Sequence, residues 1–306
     1  MRAVFVDANP TLGDLAERLR QPSDPAVTVN HQPDVKPAEL PGVIGDAEVI
    51  WVDHTALPTD IARQCKALKH VVFLGTGARS YMNIEELAGL GIQVHLIKGY
   101  GDTAVAECAF ALMWASSKGF AFMDRGMRAG NWLRMDGKQL TGKTVGLVGY
   151  GGIAAEMARL CLGAGMKVLA WNRSKKDAPA GVDFVDIDTL LSKSDVVSVH
   201  LLLNDETRGF LSKDRIAKLK KGAILVNTAR GAVVDEAAMV AALKSGQIGH
   251  AGLDVFDIEP MPAGHVLTTL DNVTLSAHSA FRTPEASDNL INAAHAHTRR
   301  IAKEGK

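Results

Sequence analysis

The sequence predicts an α/β protein of two domains, each built on a parallel sheet, and three observations carry that prediction. Short β-branched runs alternate with stretches of helical periodicity, the pattern of parallel strands covered by helices on both faces. A chain of 306 residues is long enough for two domains that each bury a core. Apolar residues at 47% and charged residues at 22% give the balance of a folded globular protein.

In the first third, strands are expected at Ala3–Val6, Glu48–Val52, Val71–Leu74 and Gln93–His95, with helices over Asp60–Leu68 and Asn83–Leu90. A long helix follows from Asp102 to Lys118, and a second runs towards Gly130. From Lys143 a new set of strands begins, at Thr144–Val148, Lys167–Trp171, Val196–Val199, Ala223–Asn227, His250–Leu253 and Val273–Leu275. Six strands with helices between them make a complete dinucleotide-binding sheet. The last segment, Thr283–Lys303, reads as helix, with Pro284 at a favoured early position.

Charge and cysteine usage exclude several classes. Lys and Arg number 34 against 34 Asp and Glu, so no global field draws the chain to nucleic acid or an anionic membrane. The longest apolar stretch, Ala104 to Ala115, is interrupted by Glu107 and falls short of a bilayer span. The N-terminus has too little apolar length for a signal peptide, which makes a cytoplasmic protein the expectation. Cys65, Cys108 and Cys161 are scattered, with neither disulfide nor zinc spacing, and read as small buried hydrophobes. His295 and His297 lie two apart on a predicted helix and point to different faces, so no metal is assigned.

The strongest local signal is Thr144-Val-Gly-Leu-Val-Gly149-Tyr-Gly151-Gly152-Ile153-Ala154, a G-x-G-x-x-A pattern between a buried strand and a helix. Gly149 permits the tight turn, Gly151 lets a pyrophosphate approach the backbone, and Ala154 allows close helix–strand packing. The amides at the helix start, Gly152 and Ile153 among them, would hold the phosphates. The next strand ends Val168-Leu-Ala-Trp171-Asn172-Arg173-Ser174. An acidic residue there would bind the adenosine ribose 2′-hydroxyl and repel a 2′-phosphate. Asn172 removes that repulsion, and Arg173 and Ser174 supply a cation and a hydroxyl. The expectation is therefore NADP(H), with NAD(H) the second choice.

Three further segments place a reactive side chain just after a predicted strand: Leu225-Val-Asn-Thr-Ala-Arg230-Gly231, Gly252-Leu-Asp254-Val-Phe-Asp-Ile-Glu259-Pro260 and Leu275-Ser-Ala-His278-Ser. In an open parallel sheet the carboxyl ends of the strands face the ligand crevice. An arginine, a carboxylate and a histidine would thus converge beside a nicotinamide.

With these segments in order, the chain resembles the D-isomer-specific 2-hydroxyacid dehydrogenases over nearly its whole length. The matching pieces are Gly75-Thr-Gly77, Val105-Ala-Glu107, Leu140-Thr-Gly-Lys-Thr-Val-Gly-Leu-Val-Gly149, Asn227-Thr-Ala-Arg230-Gly231, Leu253-Asp-Val-Phe256 with Glu259-Pro260, and His278. The resemblance implies that Arg230 grips the substrate's carboxylate and carbonyl oxygen. It implies that His278 exchanges the proton with the substrate oxygen and that Glu259 hydrogen-bonds the imidazole. The chemistry fits these residue types: hydride addition builds negative charge on oxygen, which a guanidinium stabilises and a positioned acid neutralises. Formate-oxidising members of the family carry Gln where this chain has Glu259, which favours a hydroxy-acid reaction. By the same resemblance Asp254, Thr228, Ala229, Leu201 and Thr76 face the cofactor.

The segment Gly75-Thr76-Gly77-Ala78-Arg79 corresponds to the family's substrate loop, where backbone N–H groups bind the substrate carboxylate. The family usually runs Gly-x-Gly-x-Asp-Asn-Ile, whereas this chain has Arg79-Ser80-Tyr81-Met82 before Asn83. Arg79 is either a second anion contact, suited to a diacid or phosphorylated acid, or an outward-facing loop residue. Cys108 replaces a frequent His, Leu202-Leu203 stands where proline is common, and Ala277 precedes His278 in place of proline. None of these removes a reactive group.

The expected architecture is a Rossmann-type doubly wound sheet over residues 99–281 and a smaller flavodoxin-like substrate domain over 1–98 with 282–306. Chemistry would lie between the two, with water excluded on closure. The resemblance also implies a homodimer built through the region 101–140, with Trp114 and Trp132 either as anchors there or as intramolecular core. Small 2-keto acids such as glyoxylate, hydroxypyruvate or an aryl or alkyl pyruvate are the expected substrates. The alternative is a nucleotide-sensing corepressor of the same fold, for which no peptide-binding appendage is visible.

Overall fold

A computed structural model describes residues 1–174 and 176–304. The chain divides into two compact units, Met1–Gly101 with Arg282–Lys306, and Asp102–Phe281. The first unit begins with β1 (Ala3–Phe5), α1 (Pro10–Arg18), β2 (Val27–Val29), α2 (Leu40–Ile44) and β3 (Val49–Val52). It continues with α3 (Thr59–Ala62), β4 (His70–Phe73), α4 (Ile84–Gly89) and β5 (Gln93–Leu96). The strands form a parallel sheet in the order β2-β1-β3-β4-β5, the flavodoxin-like winding. Every residue of β3 (Val-Ile-Trp-Val) is buried, because helices cover both faces. At the carboxyl ends of β1 and β3 the fully buried Asp7 accepts hydrogen bonds from the amides of Asp53, His54 and Thr55 at 2.9, 2.9 and 2.7 Å.

Two expectations need correction in this unit. The edge strand β2 carries only three residues and no strand-length run announces it. The helix expected over Asp60–Leu68 stops at Ala62, where bonding tightens from Arg63 N–H→Thr59 O to Gln64 N–H→Ile61 O and Cys65 N–H→Ala62 O. That shift to three-residue spacing ends the helix, and it turns Cys65 and Leu68 into the core.

The second unit opens with α5 (Asp102–Lys118) and α6 (Phe120–Arg128), separated by Gly119 in the left-handed region at φ 64°. It continues β6 (Thr144–Val148), α7 (Gly152–Gly163), β7 (Lys167–Trp171), β8 (Val182–Phe184), α8 (Ile187–Lys193) and β9 (Val196–Val199). The remainder is α9 (Lys213–Ala217), β10 (Ala223–Asn227), α10 (Glu236–Ser245), β11 (Ile248–Leu253) and β12 (Val273–Leu275). The strand order β12-β11-β10-β9-β6-β7-β8, all parallel, reverses direction between β6 and β9. A doubly wound sheet opens its ligand crevice at that reversal. Seven strands replace the six expected, the addition being β8 at the edge. Met113, Ala154, Met157 and Val145 pack on one face of this sheet, and Leu190, Val197, Leu225 and Met239 on the other.

The chain ends in α11 (Pro284–Glu304), which packs with α1 over the first sheet around Phe5, Trp51, Leu290 and Ile291. Trp51 Nε1–H donates to Thr298 Oγ1 at 2.8 Å, and the buried His295 donates from Nε2 to the Ala16 carbonyl at 2.9 Å. His297 leaves the helix elsewhere and stacks towards His95, ring centroids 5.8 Å apart. His95 Nε2 lies 3.1 Å from His70 Nδ1, and Arg300 donates to Nδ1 of both His95 and His297 at 3.2 and 3.3 Å. Burial, with the charges of Arg300 and the neighbouring histidines added, pushes His95 down to about 4. Among the described residues no helix is long and apolar enough to cross a membrane.

Candidate active site

The turn from β6 into α7 is glycine for steric reasons. Gly149 sits at φ 91°, donates to the Trp171 carbonyl at 2.9 Å, and has no room for a Cβ, which would lie 2.8 Å from the His200 carbonyl. Leu201 is half-buried against the same glycine. A Cβ on Gly152 would overlap the Asp102 carboxylate. Gly151 caps α7 and has no side chain of its own to bond the first amides of the helix. Ala154 is fully buried beneath it. Open amides, a dipole and three glycines make a cradle that fits a pyrophosphate.

At the end of β7, Asn172 is committed within the protein. Its Oδ1 accepts from Tyr150 N–H at 3.2 Å, and its Nδ2 donates to the Ser174 carbonyl and Oγ at 2.8 and 3.0 Å. Arg173 is exposed and paired with Glu206, a partner that sequence reasoning missed because it comes from the loop after β9.

The three remaining loops are tied together by short-range contacts. After β10, Asn227 accepts from Ala229 N–H and donates to the Arg230 carbonyl, both at 3.0 Å, beside the buried Thr228. The half-buried Arg230 donates from Nη1 to the Ala229 carbonyl at 2.6 Å. A Cβ on Gly231 would overlap the backbone of Phe256 and Asp257, so only glycine lets this loop lie against the one after β11. There Glu259 Oε1 accepts from Phe256 N–H at 2.8 Å, while Oε2 meets His278 Nδ1 at 2.5 Å. The Glu259–Pro260 bond is cis. Arg230's loop, Glu259 and His278 thus occupy one contiguous cluster.

His278 carries a backbone of φ 46°, an uncommon conformation for a residue with a Cβ. Asp254 is what holds it. The Asp254 carbonyl accepts from His278 N–H at 2.7 Å. Its fully buried carboxylate accepts from Ser276 Oγ–H at 2.6 Å and from the amides of Ser279 and Ala280 at 3.0 Å each. The family resemblance pointed to Asp254 as a cofactor contact, but carried no sign of this bracing of the turn that presents the imidazole. Burial, with Asp254's charge added, pushes the Cys108 thiol up to about 11, and beside the Gly149 turn burial holds His200 down to about 4.

In the smaller unit, Gly75 (φ 153°) follows β4 and Ala78–Ser80 forms a 3₁₀ turn. Among the described residues the amides of Thr76 and Gly77 meet no acceptor. Arg79 forms a two-pronged contact with Glu85, both exposed. No group of three or more His, Cys, Asp or Glu side chains among the described residues is arranged to hold a metal ion.

A doubly wound sheet whose carboxyl edge carries a phosphate cradle, a guanidinium and a carboxylate-bound imidazole defines a class, the nicotinamide-dependent oxidoreductases. Residues 110–280 match the NAD binding domain of the D-isomer specific 2-hydroxyacid dehydrogenases. A hydroxypyruvate reductase of Thermotoga maritima is 37% identical over 81% of this chain and 82% of its own length. Among solved structures, a glyoxylate reductase from Paecilomyes thermophila covers 100% of this chain and 96% of its own, at TM-score 0.86 and 27% identity. An acyclic imino acid reductase in complex with NADPH and D-Arg covers 99% of this chain and 98% of its own, at TM-score 0.85 and 25% identity. The chain belongs to the D-isomer specific 2-hydroxyacid dehydrogenase family. It is an NAD(P)-dependent enzyme acting on small 2-hydroxy or 2-keto acids.

Proposed function

We propose that the protein is an NADP(H)-preferring reductase of small 2-keto acids of the glyoxylate and hydroxypyruvate type. The observation that carries the reading is the 2.5 Å contact of Glu259 with His278 Nδ1, in the cluster that Gly231 ties to Arg230. Glu259 fixes the ring, so Nε2 is the atom that faces substrate and moves the proton. Arg230 holds the carboxylate and stabilises charge on the carbonyl oxygen as it becomes an alkoxide. His278 delivers its proton to that oxygen, or removes it in the oxidative direction. A nicotinamide dinucleotide held at Gly149, Gly151, Gly152 and Ile153 would supply the hydride for this chemistry.

Residues 99–281 serve as the cofactor domain and 1–98 with 282–306 as the substrate domain. The amides of Thr76 and Gly77 receive the substrate carboxylate, beside Gly75, Ala78 and Arg79. Gly149, Gly151, Gly152 and Ile153 hold the pyrophosphate, and Leu201, Thr228, Ala229 and Asp254 border the nicotinamide half or the adenine. Arg173 and Ser174, positioned by Asn172, receive the 2′-phosphate; the structural relative bound to NADPH supports that choice. Phe120, Met127, Trp132 and Leu133 are exposed at 57, 52, 74 and 42%, and four large exposed apolar side chains within one short segment support a homodimer through it.

A panel of 2-keto acids with NADPH and with NADH, followed at the reduced cofactor's absorbance, tests the function. Turnover of the smallest hydroxylated keto acids, faster with NADPH, is expected. Silence across the panel with tight nucleotide binding retained would overturn it. Light scattering in solution tests the dimer, and a monomeric mass would remove it.

A further inference from the structure

We infer that Glu206 sets the enzyme's cofactor preference by competing with the adenosine 2′-phosphate for Arg173 and by accepting the 2′-hydroxyl when that phosphate is absent. The inference rests on the assignment of Asn172–Ser174 to the adenosine ribose. Strands β9 and β7 flank β6, so the loops that follow them stand on either side of the phosphate turn. Glu206 comes from the β9 loop and Arg173 from the β7 loop, and the two side chains meet.

Glu206 is presented by a built turn. Asn204 Oδ1 accepts from the amides of Glu206 and Thr207, both at 3.0 Å. Thr207 Oγ1 accepts from Asn204 N–H at 2.8 Å and donates to the Leu202 carbonyl at 2.5 Å. Asn172 is occupied by Tyr150 and Ser174, so it positions the loop and does not read the ribose itself. An acidic group therefore does stand at the ribose end, supplied by a neighbouring loop where the second strand's own terminus has none.

Side-chain exposures of 74% for Arg173 and 68% for Glu206 make the pair easy to open. A phosphate with nearly two negative charges takes the guanidinium from a single carboxylate, but Glu206 then faces the phosphate and weakens the complex. With a ribose hydroxyl, Arg173 stays paired and Glu206 accepts a hydrogen bond. One pair of residues thus admits both nucleotides and keeps the preference for NADPH moderate.

The test is kcat/KM and Kd for NADPH and NADH in the wild type, Glu206→Gln and Arg173→Gln. In Glu206→Gln the value for NADPH should improve about two- to five-fold and that for NADH should fall by a similar factor, the size expected of an exposed charge pair. The NADPH effect should shrink as salt rises. An unchanged NADPH-to-NADH ratio in folded Glu206→Gln, with NADPH still weakened in Arg173→Gln, would overturn the role of Glu206 alone. If Arg173→Gln leaves NADPH unaffected, the ribose assignment itself fails.

Discussion

Two histidine clusters in this chain show how surroundings decide what an imidazole does. In the larger unit, His278 is about one-third exposed and its Nδ1 meets a carboxylate. In the smaller unit, His95 sits among His70, His297 and Arg300, with Arg300 donating to Nδ1. A carboxylate orients the first ring, whereas burial, two more imidazoles and a guanidinium oppose protonation of the second. The first cluster is fit to hand a proton on. The second is a neutral packing element that ties α11 to the edge of its sheet.

The sharpest way to break the contrast is to exchange the ring at the proposed proton site. His278→Gln should lower kcat by about a hundred- to ten-thousand-fold while leaving nucleotide affinity nearly unchanged. Steady-state kinetics and a nucleotide titration together check this, and unchanged turnover would remove His278 from the chemistry. Glu259→Gln keeps a hydrogen-bond acceptor but loses the charge that orients the imidazole and stabilises it in the transition state, so kcat should fall by about ten- to a hundred-fold with nucleotide affinity unchanged. Gly231→Ala attacks the same cluster through sterics. The added methyl would overlap the Phe256 backbone, and a loss of about 1–3 kcal/mol in denaturant unfolding is expected, with turnover reduced as the loops separate.

The smallest effect on turnover belongs to the other cluster. His95→Gln should leave kcat unchanged and alter only the response to acid. His95 is held down to about 4 in the fold, against an ordinary value near 6.5 when unfolded. Between those limits the unfolded chain takes up a proton that the folded chain does not. The stabilisation is therefore complete above about pH 6.5 and is lost as pH falls towards 4. Unfolding midpoints across that range should drop in the wild type and drop less in His95→Gln.

Most of the larger sheet was legible because its strands are buried on both faces and so appear as continuous apolar runs. Thr144–Val148, Lys167–Trp171, Val196–Val199, Ala223–Asn227 and Val273–Leu275 coincide with the observed strands. The edge strands Val27–Val29 and Val182–Phe184 were not, since three residues with a partly exposed face leave no such run. In the candidate site, residue types at strand ends pointed to Arg230, Glu259 and His278. What stayed hidden depends on side chains meeting across the chain: Glu206 with Arg173, Asp254 beneath the 276–280 turn, and the Asp102 carboxylate against Gly152. No periodicity or spacing encodes those encounters, which arise only once the strand order is set.

The left-handed backbone at His278 has a consequence for how this enzyme tolerates change. A conformation that disfavours any side chain by about 1–2 kcal/mol is kept at the residue proposed to move the proton. Glycine there would relieve the penalty and, on the proposed mechanism, lower turnover as steeply as the loss of the ring in His278→Gln. Selection for robustness and selection for rate therefore pull in opposite directions at a single residue, and a descendant freed of its reaction would be expected to lose that histidine first.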